Sequence, residues 1–253
     1  MRRTATVRAV LWEGWKMGRH DHRSLVTTPA DGLAERRTLA VEIADRLSQS
    51  IFLGEIAPGG RLNEVEIAKR MGTSRGPVRE AFRYLQDLGI IEAVPHHGSF
   101  VVEFSSAQIK DLIVLRSTLE GVAARMLIGT RKDLTELHVV AMHLERAAEA
   151  KNGSVFKRLE WRFSRALCEA AGTGELVTTW EQVYRRLRLA FANITDNRTL
   201  SDRAGRYTSL AATLKETVPG EAEAAVRSHI LSGGFAKLGV GVPEYLVMDK
   251  AIS

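Results

Sequence analysis

Between positions 69 and 83 the chain carries Lys69, Arg70, Arg75, Arg79 and Arg83 against the single carboxylate Glu80. Arg75, Arg79 and Arg83 recur every four residues, so on a helix they share one face. A guanidinium is a planar fork that makes paired hydrogen bonds to guanine O6 and N7, or clamps a phosphate. Arg75 and Arg79 fall at the start of a helical pattern, the end that meets base edges when a helix enters a major groove. Ser74 stands just before them and, with the first-turn N–H groups, suits a backbone phosphate. Downstream, His96-His97-Gly98 forms a turn whose glycine permits close approach to a minor groove. Any one exposed arginine, taken singly, reads more readily as solvated surface. The chemistry is that of duplex DNA only if helix, turn and hairpin occur together.

A second group lies far along the chain. In the pattern Ile109, Leu112, Ile113, Arg116, Leu119, Ala123 and Met126, the arginine occupies an apolar helical stripe. A buried guanidinium needs an anionic or hydrogen-bonding partner. Two readings stay open: a local pair with Glu120 one turn later, or a grip on the carboxylate of a small ligand. His229 between Ala225, Val226 and Ile230, and Tyr207 before Leu210, Ala211 and Leu214, are similar polar intrusions. Taken alone, each reads as a satisfied core residue.

The elements that must position these groups follow from periodicity. Ala40, Ile43, Ala44, Leu47 and Ile51 predict a helix over 38–53, ended by Gly54 and a Pro58-Gly59-Gly60 turn. Asn63, with Glu66 three residues on, caps a short helix through Met71. After Gly72-Thr73, Ser74 caps the next helix, whose buried stripe is Val78, Ala81, Phe82 and Leu85, with Pro77 tolerated in its first turn. Two β-like runs, 90–94 and 99–102, then meet around Gly98. Helix, turn, helix and hairpin in about forty residues is the outline of a winged helix-turn-helix.

After Phe104 the pattern is helical only: 106–128, 133–150, 155–171, 175–194, 200–218 and 221–236, with short Gly- or Pro-containing breaks. Short loops predict an antiparallel bundle in which sequential helices are neighbours. Trp180, Val183, Leu187 and Phe191 form one stripe there, and Arg185, Arg186 and Arg188 read as a solvated face off it. The fold class is mostly α: an N-terminal winged helix-turn-helix and a C-terminal all-helical bundle. The expected division is a mobile tail over 1–32, a DNA-binding domain over 33–104, a helical effector-binding and dimerisation domain over 105–238, and a C-terminal tail over 239–253.

Composition narrows the alternatives. With 45% apolar and 26% charged residues, the 253-residue chain has the proportions of a folded globular protein. The net charge of +6 says little about the reader, because residues 31–104 hold nine basic and eleven acidic side chains. The single cysteine, Cys168, excludes an internal disulfide framework and fits a reducing compartment. No apolar run reaches the length needed to span a bilayer, and the basic start is too short and charge-interrupted for a signal peptide. The expectation is a cytoplasmic protein with no membrane partner. No phosphate loop, nucleophile elbow or Cys/His pair is present, so no enzyme activity is expected. The competing readings are a helical small-molecule enzyme or scavenger with an accessory DNA-binding module, and a protein-interaction module.

Pro58-Gly59-x-x-Leu62, Ala68, the block Ser74-Arg75-Gly76-Pro77-Val78-Arg79-Glu80-Ala81, then Leu85, Gly89 and Gly98-Ser99-Phe100-Val101 resemble the GntR family of bacterial transcriptional regulators. The helical body resembles the FCD effector domain of its FadR subgroup, and the likeness runs over about residues 36–235. The resemblance implies a homodimer on a pseudo-palindromic double-stranded operator, acting as a repressor released by a small effector. It implies DNA contacts at Arg75, Arg79, His97 and Gly98, and a ligand-binding arginine at Arg116. One further contact arginine of some relatives is replaced here by Val65. Many FCD domains hold a divalent metal on one Asp and three His, and the matching residues here are Glu160, Ser164, Tyr207 and His229. Only Glu160 and His229 are credible ligands, so no metal cofactor is expected. Arg116, Tyr207, His229 and Glu160 then surround an anionic effector directly, either an organic acid or a bulkier acyl thioester.

Overall fold

The computed structural model describes residues 31–52, 54–192, 194 and 196–247, with the side chains of 31–38 excepted. Its first helix, α1 (Asp31–Phe52), begins seven residues before the predicted start. The expected tail over 1–32 lies outside the described residues up to position 30, and its last two residues already belong to α1. Gly54 follows with φ 81°, a left-handed value that costs glycine little.

The strand β1 (Arg61–Leu62) precedes α2 (Glu64–Arg70) and α3 (Arg75–Asp87), and β2 (Ile91–Val94) and β3 (Gly98–Val101) form the wing. The sheet order is β1-β3-β2, antiparallel throughout, with Val94 opposite Gly98 and Arg61 opposite Phe100. The third strand was not predicted. Two residues carry no periodicity, and β1 exists only because β3 offers it a ladder. Asn63 caps α2 by accepting from the Val65 and Glu66 amides. Val78, Ala81, Phe82 and Leu85 of α3 are buried against Ile43, Leu47 and Ile51 of α1, with Ile91 and Val101 of the wing beneath. One core therefore sets the angle at which α3 is presented.

Six helices follow: α4 (Ser106–Gly129), α5 (Thr135–Glu149), α6 (Gly153–Ala171), α7 (Gly174–Ala190), α8 (Leu200–Glu216) and α9 (Pro219–Lys237). Local signals explain their ends. Ser105 with Gln108 and Thr199 with Asp202 are reciprocal capping boxes, Gly172 closes α6 at φ 86°, and Pro219 opens α9. Sequential helices are only partly neighbours. The most extensive packing joins α4 to α9, the first and last of the six, and α5 lies on α8 as well as on α6. Helix α4 is central because it is apolar on several sides, burying Ile109, Leu112, Ile113, Ala123, Ala124 and Leu127. Within the expected tail beyond 238, Val242 and Leu246 pack on the cluster around Phe235, and a short 3-10 turn spans Glu244–Leu246. Leu189, near the end of α7, is 1% exposed within the winged-helix core, so reader and bundle share a residue.

Candidate functional site

The candidate reading face lies on α3. Arg75, Arg79 and Arg83 are exposed along it, opposite its buried stripe. Ser74 occupies the N-cap position in extended geometry, yet its side chain makes no capping bond. One donor is missing for a local reason: the third helical residue is Pro77, which has no N–H to offer a cap oxygen. Capping of α3 by the Ser74 hydroxyl is thus corrected. Glu64, opening α2, accepts from Arg75 Nη2 at 3.3 Å and from Arg79 Nε at 2.9 Å. Partial burial works to raise the Glu64 carboxyl, but the two arginines prevail and hold it below its usual range. Both guanidiniums stay more than half exposed, and surface pairs of this kind contribute about 1 kcal/mol or less. A phosphate or a base edge can replace Glu64 as partner. The wing tip holds His96 at φ 63°, His97, and Gly98 at φ 106°, all exposed. A side chain at 98 would approach Arg61 Nε at 3.6 Å. Arg61, a basic group under the wing, was not singled out from the sequence.

Arg116, Glu160, Tyr207 and His229 line one cavity of about 160 Å³ in the helical body. Arg116 donates from Nε to Glu120 Oε1 at 2.7 Å and from Nη2 to Ser164 Oγ at 2.9 Å, and its guanidinium stacks over the Tyr184 ring at 4.8 Å. Glu120, whose side chain is 2% exposed, also accepts from Trp180 Nε1 at 2.8 Å. The two readings of Arg116 are therefore compatible: it is locally paired and still lines the cavity. Burial opposes its charge, but the Glu120 carboxylate, hydrogen-bonded to it, more than compensates and raises it above the usual arginine range. Burial pushes the Tyr184 phenol up to about 12 and Tyr207 well above the ordinary value, so both keep their protons as donors. His229 meets Tyr207 ring to ring at 4.6 Å. Burial, then Arg206, Arg116 and Arg198, push its imidazole down to about 3, so it is neutral at physiological pH.

The remaining walls are strongly basic. Lys157, Arg188, Arg198, Arg203, Arg206 and Lys237 join Arg116, against Glu160 and Asp196. Arg203 pairs with Glu160 at 2.6 Å and Asp196 at 3.5 Å, and Arg198 forks onto Asp196. Among the described residues Arg206 donates to the His229 carbonyl at 2.6 Å and the Ser232 hydroxyl at 2.9 Å. Sequence reading missed this ring, although Arg203, Arg206 and Tyr207 at three- and four-residue spacing were a usable signal.

The model for bacterial regulatory proteins, gntR family, matches residues 39–101, and the FCD domain model matches residues 111–232. The Nta operon transcriptional regulator of Aminobacter aminovorans is 31% identical over 176 residues, covering 68% of this chain and 82% of that protein. The chain belongs to the gntR family. This regulator is also 29% identical over 196 residues to the "Probable D-xylose utilization operon transcriptional repressor" of Paenarthrobacter nicotinovorans, over 77% of this chain and 87% of that one. A solved GntR regulator from Rhodococcus sp. RHA1 shares its fold, with TM-score 0.69 at 20% identity over 80% of this chain and 98% of the other. The protein is thus a DNA-binding transcriptional regulator with an effector-binding FCD body. No helix among the described residues is long and apolar enough to cross a membrane.

The regulator's donor set does not fit the divalent metal of many FCD domains. Ser164 is occupied by Arg116, Glu160 by Arg203, and Tyr207 keeps its proton. Among the described residues no three His, Cys, Asp or Glu side chains gather as ligands. A cation there would also meet two guanidiniums at close range, which like charge opposes.

Proposed function

We propose that this regulator is a repressor that binds a pseudo-palindromic operator as a homodimer and is released when a small anion enters the body cavity. The observation carrying this reading is the cavity itself, where seven Lys/Arg side chains face two carboxylates in the same chain as an arginine-faced reader helix. An anion there gains charge-assisted hydrogen bonds from groups already held in place. Arg116 is the inner clamp, Tyr207 and Tyr184 are neutral donors, and His229 and Glu160 bound the space. A volume of about 160 Å³ favours a compact organic acid over an acyl thioester, since pockets for drug-sized ligands run to roughly 300–1,000 Å³. No metal takes part. Specific reading of a palindrome requires two α3 helices about one DNA turn apart, which is the reason for a dimer. Effector binding shifts the balance between operator-competent and incompetent dimers by its differential affinity for the two.

The test uses operator duplex selected by the protein from a random pool, and a thermal-shift screen of organic acids. Arg116→Lys keeps a positive partner for Glu120 but loses the fork. It should bind the selected duplex like the parent while its response to any stabilising acid falls by about tenfold or more. An unaltered response would remove Arg116 from the site, and failure to select any duplex would end the DNA-reading assignment.

A further inference from the structure

The cations of the cavity fall into two sets. In one set the charges are internally matched, Arg116 by Glu120 at the buried end, Arg198 by Asp196, and Arg203 by Glu160 and Asp196. In the other set, Lys157, Arg188, Arg206 and Lys237, no ion pair among the described residues neutralises the charge, although Glu160 and Asp196 lie within electrostatic reach of Lys237; Lys157 and Arg188 are exposed. Helix geometry separates the sets. On α7, Arg188 lies one turn beyond Tyr184, the ring on which Arg116 rests, a step of about 6 Å. On α9, His229 and Lys237 both line the cavity and are two turns apart, about 12 Å along the axis. Between them Gly233 leaves the wall bare: a side chain there would meet Arg206 Nη2 at 3.4 Å and Arg198 Nη1 at 3.8 Å. A monoanion on Arg116 leaves the outer cations unanswered.

The mouth is also where the body touches the reader. Phe52, the last residue of α1, lines the cavity, and the exposed Arg188 guanidinium lies over its ring at 4.6 Å. The next residue, Leu189, is buried in the reader's core. Lys237 lies 4.5 Å over the ring of Phe191, three residues beyond Arg188 in the chain. A group bound at the mouth therefore competes with Phe52 for Arg188, at the point where α7 is anchored in the winged helix.

We propose that the effector carries two separated acidic groups, one on Arg116 at the floor and one on Arg188 and Lys237 at the mouth, and that capture of the outer group draws Arg188 off Phe52 and so reports occupancy to the reader. This rests on the body cavity being the effector site. Carboxylate and phosphate both supply the outer charge, and matched probes separate them: adipate against hexanoate, and 3-phosphoglycerate against glycerate.

With the full-length protein, calorimetric titration at fixed salt should show at least one doubly acidic probe binding about tenfold or more tighter than its singly acidic match. Arg188→Gln should erase that preference by weakening the doubly acidic probe more than the singly acidic one. The selected duplex should then no longer be released by the doubly acidic probe in a gel shift. Lys237→Gln should weaken the same preference from the other wall. Equal affinities within each matched pair would overturn the two-group effector, even with the cavity upheld as the site by Arg116→Lys. Retention of both preference and release in Arg188→Gln would overturn the role of Arg188. Absence of binding by all four probes, with no acid in a wider screen stabilising the protein, would overturn the cavity reading itself and this inference with it.

Discussion

Arginine serves two opposite ends in this molecule. On α3, Arg75 and Arg79 are more than half exposed and share one partly buried carboxylate, Glu64. In the body, Arg116 is 14% exposed and held by a buried glutamate, a serine hydroxyl and a tyrosine ring. The surface pair is close to neutral in free energy because water solvates either guanidinium nearly as well. The buried pair cannot be dissolved so cheaply, since either partner alone would be a charge in a poorly polar interior. A reader has to exchange its counter-ion for DNA, whereas a sensor has to keep its cation pointing into a cavity while that cavity is vacant. Exposure decides which of the two an arginine can do.

The largest effect should come from breaking the buried pair. Glu120→Ala strands Arg116 and removes the acceptor of Trp180, and urea unfolding should show a loss of about 3–5 kcal/mol. Glu64→Ala should change stability by about 1 kcal/mol or less in the same assay. Equal losses would break the comparison. Next in size, Arg79→Ala should cost about 1–3 kcal/mol in affinity for the selected duplex with thermal stability unchanged. Arg83→Ala, farther from the helix start, should instead lower the slope of log affinity against log salt by roughly one.

Smaller effects concern protons. The folded state holds the His229 pKa near 3, below the ordinary 6.5, so the unfolded chain takes up the proton first. Stability from this group is complete above pH 6.5 and erodes as pH falls from there towards 3. His229→Gln should flatten that part of an acid-stability profile. Burial and Arg203 bring the Lys237 amine down to about 8. Anion affinity should therefore decline as pH rises through 8, and Lys237→Gln should remove that decline. A profile unaffected by the substitution would place the titrating group elsewhere.

Much of the reader was legible because its signals are local. The Asn63 cap, the turn at Gly72, the α3 stripe and the left-handed Gly98 are each decided within a few residues. The donor missing for a Ser74 cap was equally local, since Pro77 lies three residues on. The body was legible as helices, not as an assembly. Periodicity shows that Arg116 faces inward, but not that Trp180, sixty residues beyond Glu120, shares that glutamate. Arg186 and Arg188 were read as solvated surface; they remain exposed, yet they lie over Phe104 and Phe52 where body and reader meet.

By itself, the sequence determined the two kinds of architecture, the arginine face of α3 and the presence of an inward cation on α4, because helix period and turn chemistry act over short range. Tertiary structure alone decided that α4 packs on α9, that Leu189 enters the reader's core and that seven cations converge on one cavity beside Phe52. Those outcomes join residues far apart in the chain. They follow from how apolar faces share a limited interior, and no local pattern encodes which faces will meet.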